Sequence, residues 1–145
     1  MNVFLANEQE VAVDEDRVTS LARHALSSEE VDDEAELSIL LVTSDHIRQL
    51  NARFAGDDYA TDVLAFPLME GNDDDSWLLG DVVVCPQVAS ENAQRLGHGV
   101  TDEIDMVVVH GILHLLGYDH QGPEDRKRMN DRVAEVLHDF KVLPG

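Results

Sequence analysis

Three imidazoles fall within one short stretch, His110-Gly111-Ile112-Leu113-His114-Leu115-Leu116-Gly117-Tyr118-Asp119-His120. Residues four apart on an α-helix lie about 40° apart around the axis and one turn along it. A helix through this stretch therefore projects His110 and His114 from one face, toward one ion. Gly117 can adopt the left-handed backbone that ends a helix and turns the chain back, which delivers His120 as a third ligand. Three imidazoles with a fourth position left open form a catalytic zinc site, and other divalent transition metals also suit imidazole. With 7 His and 9 Gly in 145 residues, the pattern H-x3-H-x2-G-x2-H arises by chance about 0.001 times per chain. Two other arrangements compete: histidines packed in the core of an apolar helix, and a closed structural site. The only thiolate available to such a site is Cys85, directly before a proline. Asp119, beside His120, is the one candidate for a carboxylate that orients water, and it is equally suited to cap the turn.

The elements that must position these residues follow from periodicity. Val3-Phe4-Leu5 reads as an edge strand. Asp14 to Asp16 cap a first helix carrying Val18, Leu21, Ala22, Ala25 and Leu26 on one face. Residues 27–36 form an acidic connector. Leu37 to Val42 reads as a buried strand rather than an alternating one. Ser44 or Asp45 caps a second helix reaching about Phe54. A strand from Asp62 to Phe66 stops at Pro67, and another from Leu79 to Cys85 stops at Pro86. The acidic loop between them, Glu70 to Ser76, suits a hairpin. A third helix spans Gln87 to Leu96 and closes at Gly97. Thr101 caps a fourth, apolar nearly all round from Ile104 to Leu116 and so the central buried helix. Pro123 opens the last, running to about His138 with Met129, Val133, Val136 and Leu137 inward. The order βαβαββααα describes one α+β domain over residues 1–145, with a small mixed sheet of about four strands flanked by helices.

The histidine spacing is that of the metzincin zinc proteases, His-Glu-x-x-His-x-x-Gly-x-x-His, with one decisive change. Gly111 stands where the glutamate base would be, and glycine can neither accept a proton nor orient water. The site keeps the metal ligands and loses the protease chemistry. His-Gly-x-Leu-His-Leu-x-Gly-Tyr-Asp-His resembles the signature of the bacterial YbeY family, zinc-dependent endoribonucleases of rRNA maturation and ribosome quality control. Leu50-Asn51 and Thr61-Asp62-Val63-Leu64-Ala65-Phe66-Pro67 resemble that family's Leu-Asn and Thr-Asp/Asn-Val-Leu-Ser-Phe-Pro blocks. Leu79-Gly80-Asp81-Val82 resembles its Leu-Gly-Asp-Ile/Val strand. The resemblance covers nearly the whole chain. It implies a zinc-protease-like core, one Zn2+ on His110, His114 and His120, and cleavage of single-stranded RNA at the 3′ end of 16S rRNA. It also implies partners at the ribosome. Two positions depart from the pattern: Ala55 stands where many members carry arginine, and Ala65 where serine is usual. Another zinc-dependent hydrolase, such as a phosphoesterase, and a non-catalytic ribosome-associated zinc protein are the alternatives.

Charge bears on the substrate. Asp and Glu number 30 against 10 Lys and Arg, a net charge of −20. That balance excludes a generally basic nucleic-acid binder, and neither DNA nor a membrane is an expected partner. Contact with RNA requires a local patch. Arg126, Lys127, Arg128 and Arg132 form one basic cluster, either tracking a phosphate backbone or paired with Glu124, Asp125 and Asp131 on a solvated face. Phe54, Tyr59 and Trp77 are candidate stacking surfaces. A single cysteine and an amino terminus without a basic, then apolar, signal pattern fit a cytoplasmic protein.

Overall fold

Apolar residues at helical and strand periods produce the expected order of elements in the computed structural model, which describes residues 1–68, 78–119 and 121–142. Strands β1 (Asn2–Asn7), β2 (Glu36–Leu41), β3 (Val63–Pro67) and β4 (Leu78–Val84) alternate with helices α1 (Glu15–Ser28) and α2 (Ser44–Ala55). Helices α3 (Pro86–Leu96), α4 (Val100–Leu115) and α5 (Pro123–Val142) follow. The four strands form one mixed sheet in the order β1-β2-β4-β3, with β1, β2 and β4 parallel. β3 runs antiparallel to β4, Val63 opposite Val84 and Pro67 opposite Gly80. The expected β3–β4 pairing is therefore present, while the acidic loop joining the strands lies outside the described residues. β1 is an edge strand, as its short apolar run suggested.

The main core lies on one face of the sheet, where α1, α4 and α5 pack Leu21, Leu26, Val108, Ile112, Met129 and Val136 against Leu37, Ile39 and Val82. A smaller cluster on Val42, Ile47, Val83 and Cys85 takes in Leu40, Leu64 and Phe66. α4 is the expected central helix, buried along most of its length. No helix among the described residues is long and apolar enough to cross a membrane.

Several local expectations are corrected. β2 alternates, with Leu37, Ile39 and Leu41 buried and the residues between them only half-buried. Its second face meets the smaller cluster, so an apolar Leu40 there does not require full burial. Thr43 caps α2, its side chain accepting the His46 N–H at 3.2 Å, one residue before the expected Ser44. α4 begins at Val100 with Gly99 at the cap, which places Thr101 inside the helix. Cys85 caps α3, with Pro86 in the first turn, where its missing N–H costs nothing. α5 continues past His138 to Val142, and Phe140 rests in cation–π contact with Arg17, 5.4 Å from guanidinium carbon to ring centroid.

Candidate metal and RNA site

His110 and His114 occupy successive turns near the C-terminal end of α4, and both line one groove. Its other walls are Leu50, Phe54 and Ala55 from α2 and Val63 to Phe66 from β3, enclosing about 430 Å³. The i, i+4 spacing thus does what geometry requires: both imidazoles face the same space, His110 half-buried and His114 exposed. Both engage in further interactions within the chain.

Gly111 explains how the helix comes so close. A Cβ there would stand 2.8 Å from Val82 Cγ1 and 2.9 Å from Val63 Cγ2. Any side chain, glutamate included, would force α4 off the sheet at the turn that presents His110. Glycine at this position therefore has a packing reason as well as a chemical consequence: the groove floor and the histidines are set against β3 and β4 together. Gly80 meets a similar demand from the sheet. Its φ of 134° and a virtual Cβ 2.3 Å from the Phe66 carbonyl oxygen leave room only for glycine. This accounts for the glycine of the Leu79-Gly80-Asp81 strand.

α4 stops as the sequence indicates. Leu116 is the cap and Gly117 adopts φ 107°. The Gly117 N–H donates to the His114 carbonyl and the Tyr118 N–H to that of Leu113, both at 3.0 Å, the paired bonds of a Schellman ending. Two residues on, Asp119 Oδ1 accepts the Gln121 N–H at 2.8 Å. The structure thus gives the Asp119 carboxylate a turn-forming bond. His120 lies outside the described residues. Among the described residues no group of three or more metal-binding side chains is found, so the structure brings together two of the three expected ligands. Cys85 is buried in the smaller cluster, and burial pushes its thiol above the ordinary range.

Two residues acquire roles that sequence reasoning did not assign. Asp62 immediately precedes β3, its carbonyl accepting the Cys85 N–H at 2.9 Å. Val63, the next residue, abuts Gly111, so Asp62 lies beside His110. Burial pushes the Asp62 carboxyl above its usual range, and the charge of His110 pulls it back. The signal was present, since Asp62 stood in a quoted motif, but only the fold shows which histidine it faces. Asn51 is 3 % exposed, and its side chain donates to the Tyr59 carbonyl at 3.0 Å, tying the end of α2 to the approach to β3. The Leu50-Asn51 pair divides its work: Leu50 lines the groove and Asn51 fixes the loop.

The basic cluster of α5 is largely neutralised. Lys127 pairs with Asp131 at 2.8 Å, Arg128 with Asp125 at 3.2 Å, and Arg132 with Glu29 at 2.6 Å. The solvated, ion-paired face is the reading these contacts favour.

A family model described as Endoribonuclease YbeY matches residues 4–141. The chain belongs to that family. An "Endoribonuclease YbeY" of Salinispora tropica is 44% identical over 152 residues, covering 97% of each chain. One of Thermobifida fusca is 44% identical over 143 residues, covering 94% of this chain and 92% of its own. The solution structure of TM1509 from Thermotoga maritima superposes with a TM-score of 0.63 at 32% identity, covering 96% of this chain and 91% of that one. The α+β architecture expected from the YbeY resemblance is thus the observed one. Ala55 and Ala65 both line the groove, so the two departures from the family pattern fall on the site itself.

Proposed function

We propose that this protein is a metal-dependent endoribonuclease that cleaves single-stranded RNA during cytoplasmic rRNA maturation, at the 3′ end of 16S rRNA, and in ribosome quality control. One zinc ion would be held by His110, His114 and His120. The observation that carries the reading is the shared groove of His110 and His114, followed by a glycine turn that reverses the chain within three residues of position 120. The donor set fits: two imidazoles one helical turn apart match borderline metals and leave coordination positions for other ligands.

When bound, such an ion supplies Lewis-acid polarisation of a phosphoryl group and lowers the pKa of adjacent water. The chain's own residues do the rest. Asp62, whose carboxyl feels the charge of His110, supplies negative charge beside that imidazole. Gly111 lets the backbone of α4 approach β3, so that a strand of RNA lying along the groove meets the imidazoles that line it. The half-enclosed apolar walls exclude part of the bulk water, which strengthens electrostatic contacts inside. No carboxylate occurs among the described lining residues of the groove, although the whole chain carries −20.

The test is cleavage of a single-stranded rRNA fragment and its duplex form by native protein and a His114→Ala variant, with end-group analysis of the products. Metal-dependent internal cleavage of the single strand, lost in the variant, is the expected result. A 2′,3′-cyclic phosphate end would assign the attack to the RNA 2′-hydroxyl rather than to water. Cleavage that survives the substitution would place the activity elsewhere.

A further inference from the structure

Beside the histidines, the groove carries an aromatic rim with a cation on it. Phe54, on the last turn of α2, is 60% exposed. Its ring meets Phe66 of β3 edge-on, centroids 5.5 Å apart at 74°. The Arg53 guanidinium carbon lies 5.2 Å from the Phe54 centroid. Among the described residues Arg53, like Arg23, Arg95 and Arg126, forms no ion pair with a carboxylate, whereas Arg17, Arg48, Arg128 and Arg132 do; of the unpaired four, Arg53 is the one set over a ring at this groove. A large exposed phenyl ring, braced from the side by a second ring and topped by an uncommitted guanidinium, has no evident part in folding. Tyr59, equally exposed, does not line this groove, and Trp77 lies outside the described residues.

We propose that Phe54, braced by Phe66, is a stacking platform for one unpaired RNA base next to the scissile phosphate, and that Arg53 binds the neighbouring backbone phosphate. The inference rests on the endoribonuclease reading and deepens it by giving the same site a nucleotide subsite. An exposed cation–π contact is weak, so an incoming base displaces Arg53 from the ring at little cost. The guanidinium then exchanges a phenyl face for a phosphate, its stronger partner. Ala55, two residues on, is too short to reach a phosphate, and its small side chain keeps the groove open between Phe54 and the histidines. A base stacked in this way must be unpaired, so the platform also gives a physical reason for preferring single strands.

Binding of six-nucleotide 2′-O-methyl oligoadenylate, and of a set each with one abasic position, tests this on the intact metal-loaded protein. Gels after each titration verify that the probe is uncleaved. Phe54→Ala is expected to weaken binding roughly ten-fold, as for loss of one base–aromatic stack, and Phe54→Trp to preserve it. At one abasic position native affinity should fall by the same factor, and there Phe54→Ala should change nothing further. Arg53→Ala should lower the slope of log affinity against log salt by about one phosphate contact. Native-like binding by Phe54→Ala, an equal loss on every abasic probe, or no binding of the probe by native protein would each overturn the platform. Metal-dependent cleavage of single-stranded RNA by the native protein, lost in His114→Ala, would leave the parent reading standing in those cases. Absence of any such cleavage would remove the parent reading, whatever the probe does.

Discussion

The two ends of α4 handle buried polar groups in opposite ways. Near its N-terminus Glu103 and Asp105 are each 2% exposed, and both are tied to basic side chains. Arg17 grips Asp105 with two bonds of 3.1 and 2.7 Å, and His98 Nε2 lies 2.5 Å from Glu103 Oε1. The Asp105 hydrogen bond in turn holds the Arg17 guanidinium above its ordinary pKa. Glu103 sits in the first turn, where the helix dipole favours negative charge. Near the C-terminus His110 and His114 instead face a groove open to solvent. One end of the helix is anchored, and the other is presented. A single rod thereby carries the stability of its ion-paired end to the histidines at its far end.

That contrast can be broken from either side. The largest effect is expected on activity: His114→Ala should reduce RNA cleavage at least a hundred-fold while leaving the thermal midpoint nearly unchanged, since the side chain is exposed. A steady-state cleavage assay alongside a melting curve reads both. Arg17→Ala should do the reverse. It leaves Asp105 buried without its partner, and with Arg17 itself only partly buried the loss is about 2–3 kcal/mol of stability. A fall in denaturant midpoint at constant slope would record it, with cleavage per folded molecule retained.

Gly111→Ala sharpens the comparison because it acts between the two ends. Overpacking against two stiff valines costs about 1–3 kcal/mol, and alanine's better helix propensity returns about 1 kcal/mol. The net expectation is a destabilisation of about 1 kcal/mol, with a disproportionate fall in cleavage as α4 shifts at His110; parallel melting and kinetic measurements check it. The smallest effect belongs to α5. Removing Arg128, an exposed partner of Asp125, should change stability by less than about 0.5 kcal/mol and leave the salt dependence of RNA binding unaltered.

Much of this was legible in the chain. Helical periodicity located α1, α4 and α5, and the apolar girth of Ile104 to Leu116 marked the central helix. The shared face of His110 and His114 and the stop at Gly117 were readable because helical spacing and helix termination are local properties. What depended on tertiary contact was not readable. Nothing near Gly111 in the sequence announces Val63 and Val82, which lie on two other elements, so its glycine read only as a missing base. Asp62 stood in a recognised motif, but its neighbour His110 is distant in sequence. The caps moved from Ser44 to Thr43 and from Thr101 to Gly99 because nearby Thr, Ser, Asp and Gly residues all satisfy the same local rule. The basic cluster was legible as charge, but the pairing of Arg132 with Glu29 crosses from α5 to the end of α1.

The central claim, that the presented end of α4 holds one catalytic divalent ion, is tested most directly by titrating zinc calorimetrically into chelator-stripped protein, native and His110→Ala side by side. The account predicts one tight site per native chain, heat of binding largely lost in the variant, and RNA cleavage restored in the native protein at one equivalent. Identical zinc binding by the two proteins, or full cleavage by the stripped protein before any metal is added, would contradict it.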